Sequence, residues 1–325
     1  MIINYNYKLK LNRDKLIDFL TSQGLQYDDN IDTCLVIKEN NDIIACACKK
    51  DNVFKMIAVS CHYQSLDYVA KLVSELIAIA HKQGIFHYFI FTKMIYEQHF
   101  TNLGFALLVS YKDIGLFEMG HPTFIEYYSN ILIKPNGPRG AIVMNCNPFT
   151  LGHRYLIEEA LKQVDQLIIF IVQEDQSFFS FRERFKLVEE GVKDLENVSV
   201  IASGPYIISQ VTFPTYFLKS LDDLAEYYTS IDIKLFKEIM ERMSITKRFV
   251  GSEPHDLLTN YYNEQLKKYL GDDLIVIGRK SLDETIISAS LVRKYYDNND
   301  FIKIKPLVNE NTYNFLLRKK ATTSE

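Results

Sequence analysis

Two short stretches of the chain hold residue types at spacings that could perform chemistry. The first is "NCNPFTLGHRYLIEEAL", Asn145 to Leu161, where the apolar run "GAIVM" gives way to Asn-Pro and then to Thr150, Gly152 and His153 as a helical pattern begins. A helix that opens here presents unpaired backbone N–H groups and a partial positive charge, and both favour an anion such as a phosphate. Gly152 would let the phosphate come close to the backbone. His153, in the first turn, could donate a ring N–H to a phosphoryl oxygen, and the Thr150 hydroxyl could reach the same group. Such donors stabilise the charge that grows at an α-phosphorus as pyrophosphate leaves, a reaction governed by positioning and preorganised dipoles. An ordinary helix start capped by a histidine has the same appearance, so the tetrapeptide T-x-G-H alone does not decide the matter.

The second stretch is "ISASLVR", Ile287 to Arg293. Ser288 can cap a helix whose N-terminus again offers N–H groups, and Arg293, later in that helix, could reach β- and γ-phosphate oxygens. The two motifs together specify a nucleotide phosphate site far more narrowly than either does alone. Around them stand weaker candidates. Glu253 in "GSEP" follows a strand end, where it would contact ribose or adenine or remain an exposed turn carboxylate. Arg182 and Arg184 open a helix; they could reach phosphate, although a first helical turn disfavours cations and surface solvation would explain them equally well. Cys146 has no evident His or carboxylate partner and is not read as a nucleophile. Cys46, Cys48 and His62 make a poor ligand set and read as packing, so no protein metal site is expected.

These residues need elements to hold them. "GAIVMN", "QLIIFIVQE", "VSVIA", "KRFVG" and "DLIVIG" read as strands. They alternate with a helix from Gly152, the strongly periodic "SFRERFKLVEEGVKDL", helices in Ile231 to Met243 and Leu257 to Leu270, and a last one at "SASLVRKYY". Ser180 and Glu183 supply a capping box to the second helix. Alternation of this kind makes a doubly wound parallel sheet with ligands at the C-terminal ends of its strands. Before it, "CLVI", "IIACAC", "FKMIAVS" and "FHYFIFT" read as strands, with a helix over Asp67 to Gln83 between the last two, and so as a smaller α+β domain. The turn-rich "IKPNGPRG" places the boundary near residue 130, giving domains over 1–130 and 131–325.

Composition bounds the class. An apolar content of 47% over 325 residues can bury two cores. Lys plus Arg number 37 against 41 Asp plus Glu, a net charge of −4, with no basic stripe, which argues against a nucleic-acid partner. No run is long and apolar enough for a membrane span and the first residues lack a signal-peptide core, so a cytoplasmic protein with no membrane partner is expected. Five cysteines without paired spacing fit reduced, structural thiols.

A strand ending in Asn-Pro-Phe-Thr-x-Gly-His with a distant I-S-x-x-x-x-R resembles the nucleotidylyl transferase superfamily, whose Rossmann-like fold carries HIGH-type motifs. "GAIVMNCNPFTLGHRYLIEEA", "FSFRERFKLVEEGV", "YIISQVTFPTYFLK", "FVGSEP" and "ISASLVR" narrow the likeness to the citrate lyase ligase family, over most of residues 135–325. The resemblance implies a two-step ligase. ATP and acetate give acetyl-AMP and pyrophosphate; the acetyl group then passes to the thiol of the phosphoribosyl-dephospho-CoA group on the acyl carrier subunit of citrate lyase. It implies that Thr150, Gly152 and His153 bind and activate the triphosphate, that Ser288 and Arg293 close on it, and that Asn145 and Asn147 contact nucleotide or acetate. Mg2+ is implied with the triphosphate, and no resident prosthetic group.

The N-terminal portion resembles the GNAT acetyltransferase fold through "FKMIAVS", the helix after it and "HFTNLGF", His99 to Phe105. It lacks the Gly-rich turn that cradles acetyl-CoA in that fold, having no glycine between Tyr63 and Ala70. A docking role toward the carrier or its CoA-like arm fits this departure. Two other functions stay open. One is an adenylyltransferase of the phosphopantetheine type; the other is a non-catalytic protein that binds a CoA derivative.

Overall fold

A computed structural model describes residues 1–63, 66–131, 137–173, 177–207, 221–252, 257–282 and 285–323, with backbone alone at 66, 221–224, 257–260 and 323. The chain forms two compact units. One is Met1–Tyr128 with the described part of Gln210–Leu235; the other is Ser129–Ser209 with Phe236–Glu325.

The first unit is built on strands β1 (Ile2–Asn4), β2 (Thr33–Glu39), β3 (Asp42–Lys50), β4 (Val53–Val59), β5 (His87–Lys93), β6 (Ala106–Tyr111) and β7 (Ile114–Gly120). They form one sheet in the order β1-β2-β3-β4-β5-β7-β6. All neighbours are antiparallel except β4 and β5, which pair only at Val53–Phe89 and Phe54–Ile90. A parallel pair needs a crossover, and helix α2 (Leu66–Lys82) supplies it after α1 (Lys10–Ser22). The spacing of Leu72, Val73, Leu76 and Ala80 puts one apolar face of α2 on Phe54, Tyr88 and Phe117. On the opposite sheet face Cys34, Cys46 and Cys48 pack with Leu16, Phe19 and Leu20 of α1, as small hydrophobes in a core. Of the Tyr63–Ala70 stretch, residues 64 and 65 lie outside the described residues. Two short helices follow, α3 (Glu97–Asn102) and α4 (Phe124–Ser129).

The second unit contains strands β8 (Arg139–Met144), β9 (Gln166–Ile171), β10 (Val198–Ala202), β11 (Ile245–Gly251) and β12 (Leu274–Ile277). They run parallel in the order β10-β9-β8-β11-β12. Leu167 to Ile171 are all fully buried, as a strand covered on both faces requires, and each such side chain contributes about 1.5–3 kcal/mol of burial. The strand order reverses direction beside β8, so the crevice for a ligand opens past the C-terminal ends of β8 and β11. Helices α5 (Leu151–Leu161) and α6 (Phe181–Val192) follow β8 and β9. Then come α7 (Leu221–Arg242), α8 (Leu257–Leu270), α9 (Ala289–Asp297), α10 (Phe301–Ile304) and α11 (Glu310–Thr323).

Among the helices, several details depart from the sequence reading. The helix expected from Gly152 opens at Leu151 with Thr150 as its cap. The helix expected in Ile231–Met243 already runs at Leu221. Its early residues pair within the first unit, where the Tyr111 hydroxyl donates to Glu226 at 2.6 Å and the Tyr227 hydroxyl to Asp113 at 2.6 Å. Polar residues that gain tertiary partners like these give no amphipathic signal. Helix α11 had no counterpart in the sequence reading; its Leu316 is fully buried with Phe179 and Tyr296.

Candidate active site

The chain turns out of β8 at Cys146, whose φ of 52° is in the left-handed region, and enters α5 five residues later. Thr150 caps the helix: its side chain accepts the His153 amide at 3.3 Å. The return bond comes from the Thr150 amide, which donates to His153 Nδ1 at 3.0 Å. This reciprocal capping box has an imidazole in the place usually held by Glu or Gln.

That bond sets the chemistry of the ring. A backbone amide only donates, so Nδ1 must carry its lone pair and the neutral ring holds its proton on Nε2. Burial, helped by the nearby Arg279 cation, pushes His153 from the usual 6.5 down to about 4. The ring is therefore a neutral donor at physiological pH, and Phe149, wholly buried, lies nearly parallel to it at 5.9 Å between centroids. Phe149 is itself wedged against Gly191 of α6, where an added Cβ would lie 2.4 Å from its ring.

Gly152 is where the two motifs meet. A Cβ built on it would stand 2.8 Å from the carbonyl oxygen of Ile287, the residue before the cap of α9. The two helix N-termini therefore abut backbone to backbone, with no room for a side chain. Ser288 caps α9 by accepting the Leu291 amide at 3.2 Å. Arg293 reaches back across the junction: Nη1 donates to the Asn147 carbonyl and Nη2 to Ser290 Oγ at 3.0 Å. Burial lowers the Arg293 pKa, yet an arginine remains a cation. The site thus combines two helix N-termini, a neutral imidazole donor and a half-buried guanidinium, an arrangement that favours a polyanion.

The other anticipated residues fall into distinct groups. Asn147 is buried and its Oδ1 accepts the Phe179 amide at 3.0 Å, so it ties the β8 turn to the segment before α6. Asn145 is exposed and shares hydrogen bonds with Ser177, at 3.1 and 3.2 Å. Arg182 is exposed. Arg184 is not on the surface. It is fully buried, with Nε on the Phe179 carbonyl at 3.1 Å and Nη1 on the carbonyls of Asn145 and Val172 at 2.8 and 2.9 Å. It gathers the strand ends of β8 and β9 from inside. The helical period gave the signal: Arg184 shares its face with Leu187, Val188 and Gly191. Glu253 lies outside the described residues, as does the "FPTYFLK" segment. Cys146 is buried and its thiol is pushed well up by that burial, which suits packing and not nucleophilic attack.

One residue escaped the sequence reading. Arg279, just past β12, donates from Nε to the Ser252 carbonyl at 2.7 Å and bears electrostatically on His153. A lone arginine after a strand has no spacing pattern to betray it. Among the described residues no cluster of three His, Cys, Asp or Glu could hold a metal ion. Nor is any helix among them long and apolar enough to cross a membrane.

The sequence matches the model of the citrate lyase ligase C-terminal domain family over residues 139–316. The [citrate [pro-3S]-lyase] ligase of Escherichia coli K12 is 35% identical over 93% of this chain and 89% of its own length. That of Haemophilus influenzae is 36% identical over 92% of this chain and 93% of its own. Among solved structures, an acetyltransferase of the GNAT family from Staphylococcus aureus Mu50 matches 37% of this chain and 98% of that chain, at 19% identity and a TM-score of 0.32. On the family match and on these full-length relatives, the chain belongs to the citrate lyase ligase family.

Proposed function

We propose that this protein activates acetate as acetyl-AMP at the expense of ATP and transfers the acetyl group to the thiol of the CoA-like prosthetic group on the acyl carrier subunit of citrate lyase. The observation that carries the first half is the junction at Gly152, where two helix N-termini meet beside a neutral His153 whose proton sits on Nε2. Membership in a family of ligases carries the second.

In this reading the triphosphate lies across the starts of α5 and α9. A carboxylate oxygen of acetate attacks the α-phosphorus, the bond to the β-phosphate oxygen breaks, and pyrophosphate leaves with the electron pair. His153 Nε2–H stabilises the charge that builds on the α-phosphoryl oxygens. A neutral donor suits this task because it need not lose or gain a proton during the step. Amides at the first turn of α5 hold the same phosphate; Thr150 fixes the imidazole, and Arg293 holds both the Asn147 carbonyl and the outer phosphates. Mg2+ bound to the triphosphate would neutralise part of its charge. The carrier thiolate then attacks the acetyl carbonyl, and AMP departs with the oxygen that acetate supplied.

The first unit takes the docking role, presenting the carrier or its arm. The match to curated ligases extends over 93% of the chain and so includes this unit, which favours the ligase over a phosphopantetheine-type adenylyltransferase. Acetate-dependent exchange of labelled pyrophosphate into ATP tests the reading. Exchange that requires acetate supports it, and exchange that requires a phosphorylated acceptor instead would replace it with the adenylyltransferase.

A further inference from the structure

We propose that Arg279 is a further catalytic residue of this site, its guanidinium holding the departing pyrophosphate across from His153. The inference rests on the adenylation reading above. The geometry begins with the backbone. The Ile287 amide donates to the Lys280 carbonyl at 3.1 Å, while the Ile287 carbonyl is the group pressed against Gly152. The segment that carries Arg279 and Lys280 is therefore strapped, one residue removed, to the first turn of α5. Lys280 lies over this helix too, with its ammonium 5.7 Å from the centre of the Tyr155 ring.

Arg279 stands past the C-terminal end of β12, on the edge of the sheet where the ligand crevice opens. The Ser252 carbonyl fixes it through Nε at 2.7 Å, which sets the plane of the guanidinium. The side chain is only partly exposed, and burial lowers its pKa from the ordinary arginine value while leaving it charged. Its positive charge is felt at His153, where it helps keep the imidazole neutral. A fixed cation on the segment strapped to the first turn of α5, with no covalent part in the reaction, suits the leaving group. As the bond from the α-phosphorus to the β-phosphate oxygen breaks, charge moves onto pyrophosphate, and a fixed guanidinium beside it stabilises that charge more strongly than it stabilises bound ATP.

The test uses the full chain with Arg279→Gln, which keeps a donor for Ser252 without the charge, and Arg279→Lys, which keeps the charge. Acetate-dependent pyrophosphate exchange is measured for both after each shows a cooperative melt. Exchange should fall about a hundredfold or more in Arg279→Gln and recover in large part in Arg279→Lys. A second readout is the NMR titration of His153, whose midpoint should rise in Arg279→Gln as the neighbouring cation is lost, and stay near the parent's in Arg279→Lys. Equal exchange in the parent and Arg279→Gln would overturn the assignment, as would equal losses in both variants with an unmoved His153, since that would leave only the Ser252 contact. A parent that shows no acetate-dependent exchange would remove the adenylation reading and this assignment with it.

Discussion

Gly152→Ala is the sharpest perturbation of the junction. The added methyl would sit 2.8 Å from the Ile287 carbonyl oxygen, and that neighbour is backbone, tied in turn to Lys280. Relief to an ordinary contact demands a relative shift of about half an ångström between the starts of α5 and α9. Overpacking of this kind costs about 1–3 kcal/mol. Alanine returns about 1 kcal/mol of helix propensity, so the net loss of stability should be no more than about 2 kcal/mol and the fold should survive. Catalysis is less forgiving. A misplacement of about 1 Å costs about a hundredfold, so half that displacement should lower exchange about tenfold. Denaturant melts and pyrophosphate exchange on the same preparation measure both. An alanine variant with parental stability and parental exchange would refute the claim that the two helix starts are in backbone contact.

His153→Ala should lower acetyl-AMP formation about 10²–10³-fold with a much smaller loss in ATP binding, as rapid-quench and equilibrium measurements would show. Because His153 is held at about 4, below its ordinary 6.5, exchange in the parent should persist as pH falls to about 5 and drop through about 4; a midpoint near 6.5 would contradict the neutral-donor role. The same shift has a sign for stability. The unfolded state takes up the proton first, so stability falls as pH drops from about 6.5 toward 4, a component of at most about 3 kcal/mol that His153→Ala should abolish in pH-dependent melts. Arg184→Ala should destabilise the protein by about 3 kcal/mol or more because three backbone carbonyls lose the donors of a fully buried guanidinium, and Arg184→Lys should not restore it, which denaturant titration checks. Arg293→Ala should weaken ATP binding about ten- to a hundredfold, the worth of one charge-assisted hydrogen bond, measured by calorimetry.

The switch from β8 to α5 was legible because three signals coincide there: an apolar run, a capping threonine and a glycine followed by histidine. The same holds for Ser288 at the start of α9 and for the Ser180 and Glu183 capping box of α6. What stayed hidden depends on contacts between residues far apart in the chain. The need for glycine at 152 comes from the Ile287 carbonyl and not from the phosphate approach alone. The charge of Arg184 points to surface or ligand, although its helical position shares the core face. The neutral state of His153 follows first from its burial and then from Arg279, which is far along the chain and which no local pattern pairs with it. The early turns of α7 find their partners in Tyr111 and Asp113, so their polarity concealed a helix.

In the proposed reaction an oxygen of acetate attacks the α-phosphorus of ATP. The complete reaction, run with acetate labelled by 18O in both carboxylate oxygens, carrier and ATP, followed by mass spectrometry of the nucleotide products, tests it most directly. AMP should carry one 18O atom per acetyl group transferred, because the bridging oxygen of acetyl-AMP leaves with the nucleotide. Unlabelled AMP, or ADP as the product, would contradict it.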